Sequence, residues 1–111
     1  MTDPIASGPV ASDPAAAAPA LRSASSETFA HITMFGAQWC QDCRRSKALL
    51  DALSIDYDYV DLEAVEDGAD RAQAVSGRTN IPVIVFPDNT HFVEPTDAQL
   101  RGKLESIGSI H

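Results

Sequence analysis

The run Phe29-Ala30-His31-Ile32-Thr33-Met34-Phe35, followed by Gly36-Ala37-Gln38 and Trp39-Cys40-Gln41-Asp42-Cys43, decides the fold. An apolar strand passes through a short loop into a helix, and both cysteines of the chain stand at the start of that helix. Two thiols three residues apart can be linked in one redox state and free in the other. A structural disulfide normally ties together distant parts of a chain, so this pair points to chemistry before it points to stability.

Reading outward from the pair, a helix is expected over 41–53, with Ser46, Leu49, Leu50 and Leu53 sharing one face and Arg45 and Asp51 outward. Residues 56–61 read as a strand with Tyr57 and Tyr59 on one side, and 66–76 as a short helix closed by Gly77. The β-branched run 83–86 lies between Pro82 and the turn residues Pro87-Asp88-Asn89, and it pairs with a short strand at 91–93 as a hairpin. A capping box, Thr96-Asp97-Ala98-Gln99, opens the last helix, with Leu100, Leu104 and Ile107 on one face and Gly108 at its end. The order strand, helix, strand, helix, strand, strand, helix gives an α/β fold with a central four-stranded mixed sheet flanked by three helices. Its first two strands are parallel, and its last pair antiparallel.

Of the 111 residues, 1–27 read as a disordered Ala/Pro/Ser-rich tail and 28–111 as one folded domain. Pro4, Pro9, Pro14 and Pro19 interrupt any helix in the tail, and its small side chains offer little to bury. A net charge of −8 argues against nucleic acid or an anionic membrane surface as partner. No apolar stretch long enough for a membrane span occurs, and no basic start followed by an apolar block. A lone close pair of cysteines fits a reducing compartment, so the expectation is a cytoplasmic monomer.

Thiol-disulfide exchange requires a thiolate, and an ordinary cysteine thiol is mostly protonated at neutral pH. At a helix N-terminus Cys40 faces unpaired backbone N–H groups and the positive end of the helix dipole, which favour a negative sulfur. Cys40 is therefore the expected nucleophile and Cys43, about one turn on and deeper, the resolving thiol. Asp42 and Arg44 are the candidates for tuning the charge on that sulfur. The Asp42 carboxylate opposes a second negative charge, while Arg44, Arg45 and Lys47 offset it. Asp42 can equally be a helix-stabilising acid of the first turn.

Three groups of residues carry a resemblance: Trp39-Cys40-Gln41-Asp42-Cys43 with Lys47, then Asn80-Ile81-Pro82-Val83, and Pro87-Asp88-Asn89-Thr90. From about Phe29 to Gly108 the chain resembles the glutaredoxin family, most closely the actinobacterial mycoredoxins. The resemblance implies a thioredoxin-like, glutaredoxin-type fold and a thiol-disulfide oxidoreductase. Its substrates would be protein disulfides, or mixed disulfides between proteins and a low-molecular-weight thiol. It also implies a cis bond before Pro82, with the Ile81 backbone exposed for strand-like pairing with substrate, although proline at a strand start has local reasons too. Trp39, Ile81, Pro82, Lys47 and Arg78 are the candidate substrate-binding residues. Arg78 is either a carboxylate contact for a small thiol or a solvated loop charge.

Glutathione-using members carry Pro-Tyr between the cysteines and Gly-Gly with an acid near the last helix. Here Gln41-Asp42 and Phe92-Val93-Glu94-Pro95 stand in those places. With Trp39 before the first cysteine, this favours mycothiol over glutathione as co-substrate, with no cofactor or metal bound, although mycoredoxins generally have Gly-Tyr between their cysteines. The main rival is a thioredoxin-like or ribonucleotide-reductase-type redoxin, reduced by a flavin-dependent thioredoxin reductase. A zinc module using His31, His91 or His111 is disfavoured because zinc sites usually show two close ligand pairs. An intact dithiol argues against a domain that only binds partners.

Overall fold

The computed structural model describes residues 20–108. Its elements in chain order are β1 (Leu21–Arg22), β2 (Ile32–Gly36), α1 (Gln41–Ala52), β3 (Tyr57–Asp61), α2 (Gly68–Ser76), β4 (Val83–Val85), β5 (Thr90–Val93) and α3 (Asp97–Ser106). They form one five-stranded sheet in the order β1-β5-β4-β2-β3. Strand β2, buried along its whole length, lies between β3, its parallel neighbour, and the antiparallel β4. The expected hairpin forms as β4 and β5, antiparallel with Val83 opposite Val93.

Side chains alternate across β2 and divide the core. Ile32 and Met34 join Cys43 and Leu50 of α1 and Leu100 and Leu104 of α3 on one face. Phe35 joins Val83, Val85, and Ala72 and Val75 of α2 on the other. Each fully buried large apolar side chain contributes about 1.5–3 kcal/mol relative to exposure. Both faces must be covered, which is why the central strands β2 and β4 are buried throughout and read as nearly continuous apolar runs.

The sheet has five strands where four were expected. Leu21 and Arg22 pair antiparallel with His91 and Thr90. The following residues stay against the domain: Ser23 N–H donates to Asn89 O at 2.9 Å, and Ala24 N–H to Val75 O at 2.9 Å. Glu27 receives Arg71 at 2.6 Å and 3.3 Å, and the Arg71 guanidinium lies 5.3 Å from the centre of the Phe35 ring. For residues 20–27 the expectation of a disordered tail is thus overturned. Backbone hydrogen bonds hold this segment, and they leave no mark on its composition. The remainder of that expected tail, residues 1–19, lies outside the described residues.

Two further expectations shift. The strand expected from Phe29 begins at Ile32, and Phe29 instead meets the Phe35 ring edge-on, with centroids 6.1 Å apart. Ile107, expected beside Leu100 and Leu104, is 37% exposed. Helix α3 ends at Ser106 with Ile107 as its C-cap, so the buried stripe stops before that position. The capping box at Thr96 and Gln99 forms in full, and Gly77 closes α2 at φ 72°, the left-handed conformation for which glycine is suited.

Candidate active site

Helix α1 begins at Gln41, and Cys40 is its N-cap, in extended conformation at φ −85° and ψ 116°. The Cys40 sulfur accepts the Cys43 backbone N–H at 3.2 Å, a place usually taken by a serine or aspartate oxygen. The same sulfur lies 3.9 Å from the Ile81 carbonyl, to which its thiol donates. The Ile81–Pro82 bond is cis, as expected, and Pro82 is buried. Cys40 is half-buried, and both thiols are free.

Cys43 lies one turn on and faces the core at 1% exposure. Burial pushes its thiol up to about 12, helped by the hydrogen bond with Cys40 and by the charges of Cys40 and Asp42. Gly36 keeps room for this sulfur: a Cβ there would stand 3.1 Å from Cys43 Sγ. The site thus holds one reachable sulfur at a helix N-terminus beside one buried, protonated thiol.

A consequence follows for pH. Unfolding releases Cys43 to its ordinary value of 9.0, so above that pH the unfolded chain gives up a proton that the folded chain retains. Stability of the reduced protein is expected to be intact below about pH 9 and to fall as pH rises toward 12. Urea denaturation between pH 8 and 10.5 should show this decline, and Cys43→Ser should show less of it. Equal slopes in the two proteins would contradict the protonated state of Cys43.

Beside the dithiol runs a groove of about 330 Å³ lined by Ala37, Gln38, Cys43, Arg44, Lys47 and Tyr59. Arg44 donates to Gln38 O at 2.8 Å, so it braces the loop before the cysteines while bordering the groove. Lys47 pairs with Asp51 at 3.2 Å and lies 5.6 Å from the centre of the Tyr59 ring. The hydrogen bond to Asp51 raises the Lys47 pKa, which keeps its charge on the groove rim. Trp39 is 65% exposed beside Cys40.

Of the candidate residues, the fold brings Cys40, Cys43, Ile81, Pro82, Arg44 and Lys47 together. Arg78 does not line the groove; it borders a small cleft with Asn80 and Ile81, which adjoins the dithiol only through Ile81. Asp42 is held by Arg45 at 3.0 Å. Three groove residues, Ala37, Gln38 and Tyr59, were not among the candidates. Tyr59 arrives through the parallel pairing that sets it opposite Met34, a register that local patterning does not reveal. Among the described residues no cluster of metal-ligating side chains occurs; His31 faces Asp58, and His91 of β5 stands opposite Leu21 with Ser23 beside its ring. His111 lies outside those residues.

The family profile for glutaredoxins matches residues 32–92, from the first residue of β2 almost to the end of β5. The chain belongs to the glutaredoxin family. A Mycobacterium tuberculosis protein described as a glutaredoxin is 32% identical to it over 79 residues, spanning 70% of this chain and 94% of that one. Mycoredoxin 1 of Corynebacterium glutamicum is 27% identical over 79 residues, spanning 70% and 98%. Among solved structures, the glutaredoxin from Archaeoglobus fulgidus shares the fold with a TM-score of 0.61. It is 22% identical and is matched over 72% of this chain and 88% of its own. This glutaredoxin is a thiol-disulfide oxidoreductase with the thioredoxin-like fold. Among its described residues no helix is long and apolar enough to cross a membrane.

Proposed function

We propose that this glutaredoxin reduces mixed disulfides between proteins and mycothiol, with Cys40 as nucleophile and Cys43 as resolving thiol. The observation that carries this reading is the inequality of the two sulfurs. Cys40 caps the helix within reach of solvent, while Cys43 is enclosed and held protonated.

In the proposed route the Cys40 thiolate attacks the mycothiol sulfur of the mixed disulfide, and the protein thiolate leaves. The new disulfide joins Cys40 to mycothiol. A second mycothiol thiolate can then attack that mycothiol sulfur, releasing mycothiol disulfide and free Cys40. Alternatively the Cys43 thiol loses its proton to the departing mycothiol thiolate and attacks Cys40, closing an intramolecular disulfide. The Ile81 carbonyl beside the sulfur offers a backbone acceptor for the substrate chain, and Arg44 and Lys47 border the groove that would take the small thiol.

Mycothiol is favoured over glutathione by the residues that differ from the glutathione-using pattern, Gln41-Asp42 and Phe92-Val93-Glu94-Pro95. The likeness to mycoredoxin 1 supports the same choice. A reducing compartment, the cytoplasm, suits a lone dithiol that must return to the reduced state.

The test offers the protein a mycothiol mixed disulfide and, separately, a glutathione mixed disulfide, each with its own free thiol, and then a thioredoxin reductase system. Turnover is expected with mycothiol. Turnover only with the reductase would replace mycothiol by that donor, and turnover only with glutathione would reverse the choice of small thiol.

A further inference from the structure

Asp42 stands two residues after the proposed nucleophile, and its negative charge opposes a second one on the Cys40 sulfur. A single side chain answers that charge. Arg45 Nη1 pairs with Asp42 Oδ1 at 3.0 Å, Nη2 donates to the Pro95 carbonyl at 3.0 Å, and Nε lies 3.4 Å from Asp97 Oδ1. All three guanidinium nitrogens are engaged, and they join the first turn of α1 to the start of α3. We propose that Arg45 is a positioning residue, which neutralises Asp42 and holds the cysteine-bearing first turn of α1 against the β5–α3 junction.

The other cations of α1 are committed elsewhere: Arg44 to the Gln38 carbonyl and Lys47 to Asp51. Among the described residues, the other charged and titratable groups about this corner are Cys43 itself, Tyr59 and Asp61 of β3, and Asp97 of α3, which shares the Arg45 charge with Asp42. Asp42 is the acid nearest in sequence to Cys40, and Arg45 is its one ion-pair partner among the described residues. A planar fork with fixed N–H directions can meet a carboxylate and a carbonyl on opposite sides at once. An ammonium group at the same place meets one of them. The clamp also ties the site to Pro95, which is buried, so the first turn of α1 is referred to a fixed part of the fold.

This inference rests on Cys40 being the nucleophile, and the experiment separates the two. The rate of Cys40 alkylation by iodoacetamide is followed from pH 5 to 9 at low salt, with the modified site located by mass spectrometry. In the unmodified sequence, failure of Cys40 to react ahead of Cys43 would overturn the assignment of the nucleophile. With that assignment standing, Arg45→Ala is expected to slow alkylation at pH 7 about two- to fivefold and to move the midpoint of the rate curve to higher pH. The double variant Asp42→Asn/Arg45→Ala should recover the part of the rate lost to the bare Asp42 charge and keep the part lost with the tie to Pro95, and added salt should shrink the difference between Arg45→Ala and the parent. No slowing in Arg45→Ala overturns the proposal. So does a slowing of which Asp42→Asn reverses no part, since a purely structural loss would not depend on the charge at 42. Should Arg45→Ala not fold, Arg45→Gln is compared in the same way, with and without Asp42→Asn.

Discussion

Cys40→Ser is expected to remove all turnover of disulfide substrates, while Cys43→Ser retains turnover of mixed disulfides with a small thiol. A serine hydroxyl stays protonated at neutral pH and cannot serve as the leaving or attacking partner in sulfur exchange. Serine is also among the best N-cap residues, and its oxygen can accept the Cys43 N–H that the sulfur accepts now. The helix should therefore persist, so the loss reports chemistry and not unfolding. Cys43→Ser leaves the Cys40 sulfur at its cap, and external thiol can still release the mixed disulfide. The check is steady-state reduction of a mixed disulfide by both variants, together with far-UV circular dichroism. Residual turnover by Cys40→Ser would overturn its role as nucleophile, and total loss in Cys43→Ser would make the dithiol route through Cys43 obligatory.

Leu50→Ala should cost about 2–5 kcal/mol of folding free energy, a large part of what a domain of this size holds. Leu50 is fully buried in the core face shared by α1, α3 and the sheet. It shares that cluster with Met34, Ile84 and Phe86, which the sheet and the hairpin hold in place, so relaxation into the space left is only partial. For a domain near 100 residues, each kcal/mol lowers the melting temperature by about 4–8 °C, so a drop of about 10 °C or more is expected. Ile107→Ala serves as control. Exposed beyond the end of α3, it should change stability by no more than about 0.5 kcal/mol. Thermal melts of the reduced proteins measure both, and similar shifts would mean that Ile107 belongs to the core after all.

How far the sequence could be read depended on whether local chemistry or distant pairing set each feature. The dithiol helix, the capping box at Thr96 and the closure of α2 at Gly77 are local, and all three were readable. Strand β1 was not. Two residues with exposed side chains, Leu21 and Arg22, are held by backbone pairing to β5, and their pattern carries no apolar alternation. The place of Tyr59 in the groove also depends on sheet register. The clamp at Arg45 joins residues half the chain apart in sequence, and only the Asp42–Arg45 spacing hinted at it. In each missed case the partner lies far along the chain, where composition and periodicity carry no signal.

The split of the core into two faces bears on how such a protein can diverge. The face beneath α1 and α3 contains Cys43 itself, so a change of volume there presses on the sulfur or on its immediate neighbours. The face beneath α2, built on Phe35, Ala72, Val75, Val83 and Val85, forms a separate cluster on the other side of the sheet. Substitutions on opposite faces should combine nearly additively, being separated and without shared partners. Descendants of this chain are accordingly freer to rebuild the α2 side, keeping total volume, while their redox chemistry stays as it was.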